Sequence, residues 1–149
     1  MRPAEAHMRT ALTGEIDVDA PPGEVYARWR DVEGFPEFVE LVESVRRVDD
    51  IRSFWTVRLG RTPQTFYADI VDDVPERRIC WQSTDGALHS GRVEFAPRDG
   101  GTHVALETTW DAPDPFAAIG LPLDLDHDLA QRDLERFKRL VEERNRAAH

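Results

Sequence analysis

The stretch DLDHDLAQRDLERFKRLVEER, residues 124–144, decides the fold. Successive residues of an α-helix lie about 100° apart around its axis. Wound this way, Ala130, Leu134, Phe137, Leu140 and Val141 fall on one side, while Arg132, Glu135, Arg139 and Glu142 face away. A helix from near Asp124 to about Arg144 thus carries a single apolar stripe that must be buried. The preceding chain supplies the surface. A first strand is expected over 9–19, and from Ser44 the apolar period is two, with strands near 44–48, 53–59, 65–72, 78–84, 88–96 and 103–110. One long helix and a large sheet bury each other's apolar faces. A sheet that curls around a helix cannot touch it everywhere, so a pocket between them is expected.

The connectors fix the sheet type. Asp49-Asp50, Asp85-Gly86 and Asp99-Gly100-Gly101 are hairpin turns, too short for crossover helices, so sequence neighbours should pair antiparallel. Pro21 and Pro22 open a helix with Val25 and Trp29 on its inner edge, and Asp31 and Gly34 end it. A second short helix is expected from Pro36 to about Val42. The proline-rich segment 111–122 leads to the long helix and is the natural lid for the pocket. The whole reads as an α+β domain over residues 9–146, with residues 1–8 as a flexible N-terminus.

Composition narrows the partners. A net charge of −10 over 149 residues disfavours nucleic acid. Arg46, Arg47 and Arg52 cluster, but Asp49 and Asp50 interrupt them, as on a solvated hairpin. No run approaches the ~18 apolar residues of a membrane span. Cys80 is the only cysteine, so no internal disulfide can form, which fits the cytoplasm. It is expected to be an inert thiol in an apolar strand. Monomer and homodimer are both left open.

Strand parity sorts the side chains by face. Trp55, Ile79, Trp81, Ser83, Val93, Phe95, Leu106 and Trp110 share the inward faces, and His89 has the parity of Val93 and Phe95. Over 65–72 parity leaves two faces open, Phe66, Ala68 and Ile70 or Tyr67, Asp69 and Val71, and the first set is taken as inward. His89 is the acid/base candidate, an imidazole whose ordinary pKa lies near the working pH. The competing expectation is a half-exposed histidine at a strand end. Ser83 is the candidate for orienting a substrate carbonyl, with Gln82 as a substitute. Trp29, Phe35, Ala130 and Leu134 complete the expected ligand wall, with the mouth near Phe35, the 111–122 segment and the early helix, and His127 at the wall's edge. The four tryptophans suit planar ligands and serve equally as core. The acidic residues of 124–128 read as helix capping led by Asp124, so no metal site is expected.

Six segments in order, APPGEVY (20–26), DVEGFP (31–36), FWTV (54–57), VPERRICWQS (74–83), GRVEF (91–95) and FKRLVE (137–142), resemble the polyketide cyclase/dehydrase branch of the START-related (SRPBCC) superfamily. The resemblance covers nearly all of residues 13–144. It implies a helix-grip fold: a curved antiparallel sheet of about seven strands gripping the C-terminal helix, with two small helices after the first strand. It also implies a cofactor-independent activity, the intramolecular aldol cyclisation or dehydration of a polyketone intermediate within antibiotic biosynthesis. The partners it implies are a small hydrophobic or polyketide ligand and a polyketide synthase or acyl carrier protein. The superfamily's non-catalytic carriers of lipids or quinones set the alternative. The chain departs from the characterised aromatic cyclases at specific places. Phe35 stands where they carry a tryptophan, Leu41 and Val42 replace a tyrosine, and Asp72-Asp73 precedes Pro75 without an arginine.

Overall fold

A computed structural model describes residues 8–59, 62–84, 89–112 and 128–147. Among these, seven strands form one sheet: β1 (Met8–Val18), β2 (Val42–Arg47), β3 (Arg52–Leu59), β4 (Thr62–Val74), β5 (Arg78–Ser83), β6 (His89–Arg98) and β7 (Gly101–Ala112). Their order is β1-β7-β6-β5-β4-β3-β2, and every neighbouring pair is antiparallel. From β2 to β7 each strand pairs with its sequence neighbour, as short turns require. The β6–β7 turn has Asp99 at φ 47° and Gly100 at φ 84°. Two central residues with positive φ are what a type I′ hairpin needs. Register shifts at Val42/Ser44 and Ile70/Asp72 bend the sheet locally. Ile70 is half-buried with Phe66 and Ala68 inside, while Tyr67 and Val71 are exposed, so the inward set on β4 is the one expected.

Helix α1 (Pro22–Arg30) starts on proline, carries Glu24 in its first turn and Arg28 and Arg30 in its last. These charges suit the helix dipole. The second short helix differs from expectation. It is a 3-10 turn over Val32–Glu37, and Val42 already begins β2. Val42 pairs with Val57 of β3, so sheet pairing overrides the apolar spacing that suggested a helix. Strand β1 includes Met8, which falls within the stretch expected to be flexible.

The C-terminal helix, α2 (Leu129–Ala147), is 19 residues long. It begins later than expected, because Asp128 stands in a turn, and it runs past Arg144. The expected capping by Asp124, His127 and most of the lid segment lie outside the described residues, although Asp111 and Ala112 belong to β7. The buried stripe of α2 is Leu129, Ala130, Asp133, Leu134, Phe137 and Val141. The helix lies against β1 at Gly14, where a Cβ would come within 3.1 Å of both the Gln131 backbone nitrogen and Leu134 Cδ1.

β1 is an outer strand, and its open side is taken up by side chains of α2. Gln131 accepts the Glu15 N–H (3.0 Å) and donates to the Glu15 carbonyl (2.9 Å). Lys138 donates to the Asp17 carbonyl (2.9 Å), and Glu142 accepts the Asp19 N–H (2.8 Å). Positions 131, 138 and 142 share a helix face, just as 15, 17 and 19 share a strand edge. At the other end of the sheet, Glu33 accepts the Arg47 N–H of β2 (2.8 Å).

Phe137 sits at the centre of the apolar contact. It is 0% exposed, with ring centroids of Trp29 and Phe38 at 4.9 and 5.0 Å. Phe137→Ala should cost about 3–5 kcal/mol in urea melts, since the rings around it cannot collapse into the space. A loss under about 1 kcal/mol would show that Phe137 is not the centre of the helix–sheet contact.

Candidate functional site

Between α2 and the concave face lies a cavity of about 30 Å³, lined by residues of β1, α1, β3, β5, β6, β7 and α2 and of the segment preceding β2. Its wall includes the expected Trp29, Phe35, Trp55, Trp81, His89, Leu106, Trp110 and Ala130, together with Val39, Leu41, Thr108, Leu129 and Asp133. That volume accommodates about one water molecule. Most of the interior is filled by aromatic rings. Trp29 meets Phe35 and Phe38 at 5.7 and 5.2 Å, and Phe35 meets Trp55 at 5.4 Å.

Other expected wall residues lie elsewhere. Phe66 is sealed behind Trp55, stacked on it at 5.5 Å. Phe95 meets Tyr26 of α1 edge-on. Val93 and Leu134 are fully enclosed core, Leu134 against β1. Phe35, expected at the pocket mouth, is only 2% exposed because Trp29, Phe38, Trp55 and Trp81 surround it. Gln82 is exposed and cannot hold an oxygen inside. Ser83 is buried but does not line the cavity. Its Oγ accepts the His89 N–H at 3.3 Å. Cys80 is half-buried, and burial pushes its thiol up, as for an unactivated cysteine.

His89 is 4% exposed, not half-exposed. It stacks on its cross-strand partner Trp110 at 3.8 Å. A carbonyl oxygen can only accept, so the 3.0 Å contact with the Thr109 carbonyl puts the ring proton on Nδ1. Nε2 then accepts the Trp81 indole N–H at 2.9 Å. Trp81 reaches this position because it lies across Gly91, where any Cβ would come within 2.0 Å of its ring. With both nitrogens engaged, His89 is held neutral, and burial drives its pKa from 6.5 to about 3. A ring placed in this way differs from the imidazole expected to titrate near neutral pH. His89 pins Trp81.

Asp133 is the ionisable wall residue that the sequence reading missed. It is 5% exposed and sits among the apolar positions of α2, three residues after Ala130. That placement, an acid within an apolar stripe, is the signal that would have found it. Its Oδ1 accepts the Glu40 N–H (3.1 Å) and bonds the Arg136 guanidinium, whose Nε–H also donates to the Phe38 carbonyl (3.1 Å). Burial outweighs these partners and raises the carboxyl from 3.8 to about 6.

The two groups oppose each other in acid. Between about pH 4 and 6 folded Asp133 keeps a proton that the unfolded chain releases, so its contribution to stability falls as pH rises. The contribution of neutral His89 is present above about pH 6.5 and is lost as pH falls toward about 3, because the unfolded chain binds a proton that the folded ring refuses. Each slope approaches about 1.4 kcal/mol per pH unit. Compared with the wild type from about pH 4 to 6, Asp133→Asn should gain stability with rising pH and His89→Gln should lose it. Urea melts that give three parallel profiles would refute both assignments.

The family profile described as polyketide cyclase / dehydrase and lipid transport matches residues 18–139. An uncharacterized 17.2 kDa protein of Streptomyces lincolnensis is 30% identical over 131 residues, 87% of each chain. Among solved structures, a Deinococcus radiodurans protein superposes with a TM-score of 0.73 at 31% identity, covering 90% of this chain and 98% of its own. The Zhui aromatase/cyclase of Streptomyces sp. R1128 shares the fold, with a TM-score of 0.68 at 20% identity over 95% of this chain and 98% of that one. With the helix-grip architecture in place and the profile running from the end of β1 into α2, the chain belongs to the polyketide cyclase/dehydrase and lipid transport family.

Proposed function

We propose that the protein binds a hydrophobic intermediate of polyketone type in the cavity and promotes its intramolecular aldol closure or dehydration, with Asp133 carrying the proton. The observation that supports this reading is a buried carboxyl on an aromatic wall, with a pKa raised to about 6. A perturbed acid in a cavity is where proton transfer is to be sought. The Asp133 carboxylate would take a proton from a methylene between two carbonyls. The electron pair of that C–H bond forms an enolate, whose carbon attacks a second carbonyl carbon of the same chain. The new C–C bond leaves an alkoxide, and the protonated carboxyl returns its proton there. Loss of water from the resulting β-hydroxyketone gives the enone. The walls supply orientation, which for an intramolecular closure is a large part of the barrier.

At about 30 Å³ the cavity takes such a ligand only if wall side chains give way. Val39 and Leu41 are only partly buried and lie on that wall. The nearly apolar lining also favours a second reading, a carrier of a lipid- or quinone-type ligand with no chemistry.

The discriminating experiment follows a synthetic 3,5,7-triketo thioester by chromatography. The wild type should accelerate one cyclised product, with a rate that rises with pH through about 6 as Asp133 ionises. Asp133→Asn should lower turnover by ~10²–10⁴-fold. His89→Gln, which keeps an acceptor for Trp81, should cost less than about tenfold. A wild type that binds the thioester and does not accelerate it would establish the carrier.

A further inference from the structure

We propose that the indole N–H of Trp29 is the oxygen-holding group of the cavity, donating to a neutral ketone oxygen of the bound ligand. This rests on the reading of the cavity as a ligand site. Trp29 is 2% exposed, and its Nε1 has no hydrogen-bond acceptor among the described residues. The neighbouring indoles differ. Trp55 donates to Ser53 Oγ at 2.8 Å and Trp81 to His89 Nε2 at 2.9 Å. Buried donors are nearly always satisfied, so one without a partner calls for an explanation.

Its position supplies one. Trp29 lines the cavity that Asp133 lines, and also a smaller void of about 10 Å³ beside Ser53, Ala68 and Ile79. It therefore stands at the partition between two spaces. An acceptor that reached Nε1 from either side would complete its bonding.

The chemistry of the acceptor follows from the surroundings. A carboxylate or phosphate would be an ion buried among rings and beside the acidic Asp133, which is costly. A hydroxyl brings a donor that would need its own partner. A ketone oxygen only accepts. When a proton leaves the neighbouring carbon, negative charge grows on that oxygen, and the indole N–H is already in place to stabilise it.

The test uses an isosteric pair, cyclohexanone and methylenecyclohexane, which differ only in C=O against C=CH2. Wild-type protein should bind the ketone about tenfold more tightly, and Trp29→Phe should bind the two within about twofold. In ¹⁵N-labelled wild type, one indole N–H resonance, absent from Trp29→Phe, should move downfield with the ketone and not with the hydrocarbon. If Trp29→Phe does not fold, the wild-type spectra decide, because a shift of no indole N–H, or equal shifts with both probes, overturns the proposal. Equal wild-type affinities, or a ketone preference that survives in Trp29→Phe, also overturn it while leaving the cavity reading intact. Failure of both probes to bind removes the cavity reading and this proposal together.

Discussion

Everything in this structure depends on how α2 is held against the sheet. One side of the helix is apolar and drops into the concave face, where Leu134 and Phe137 have no remaining exposure. The adjacent side is polar and runs along the outer edge of β1, bonding main-chain groups of Glu15, Asp17 and Asp19. The first contact is strong and nondirectional. The second is directional and fixes the helix's rotation and its translation along the strand. Together they determine that Asp133 faces the aromatic wall and not the solvent.

The interior is unusual less for its size than for how its polar groups are distributed. His89 and Trp81 satisfy each other, and the Thr109 carbonyl completes the histidine. That closed network engages both ring nitrogens, and burial holds the imidazole pKa well below its ordinary value. Asp133 remains coupled to the surface through Arg136 and the Glu40 backbone. Its carboxyl is thus held between an apolar wall and a partly solvated guanidinium.

Much of the fold was legible because period and turn chemistry act locally. Alternation placed the strands, the Asp99-Gly100 turn is of hairpin type, and the 3.6-residue spacing found α2. The errors came where tertiary contacts decide. Val42 joined β3 in place of a helix, and Phe35 was drawn into the aromatic centre. The site was harder to read. Parity put His89 inward correctly, but its pKa depends on the depth of burial and on a Trp81 contact made across Gly91. Asp133 was hidden for a simpler reason. An acid in a helix is normally solvated, and only the contact of α2 with β1 and the segment before β2 buries this one.

The guarding of β1 has a consequence for biosynthesis. The strand lies near the beginning of the chain, but its pairing partner β7 and the α2 side chains that cover its open edge come from the last third. During translation it therefore emerges with neither side occupied and waits while some hundred residues follow. Contacts of such long sequence separation form late and slow folding. An unpaired strand in the interval can template association between nascent chains. The acidic residues Glu15 and Asp17 on it, with Asp19 just past its end, give repulsion between copies during that wait. The main-chain edge that α2 later clasps is thus flanked by side chains whose like charges oppose pairing of two unfinished copies.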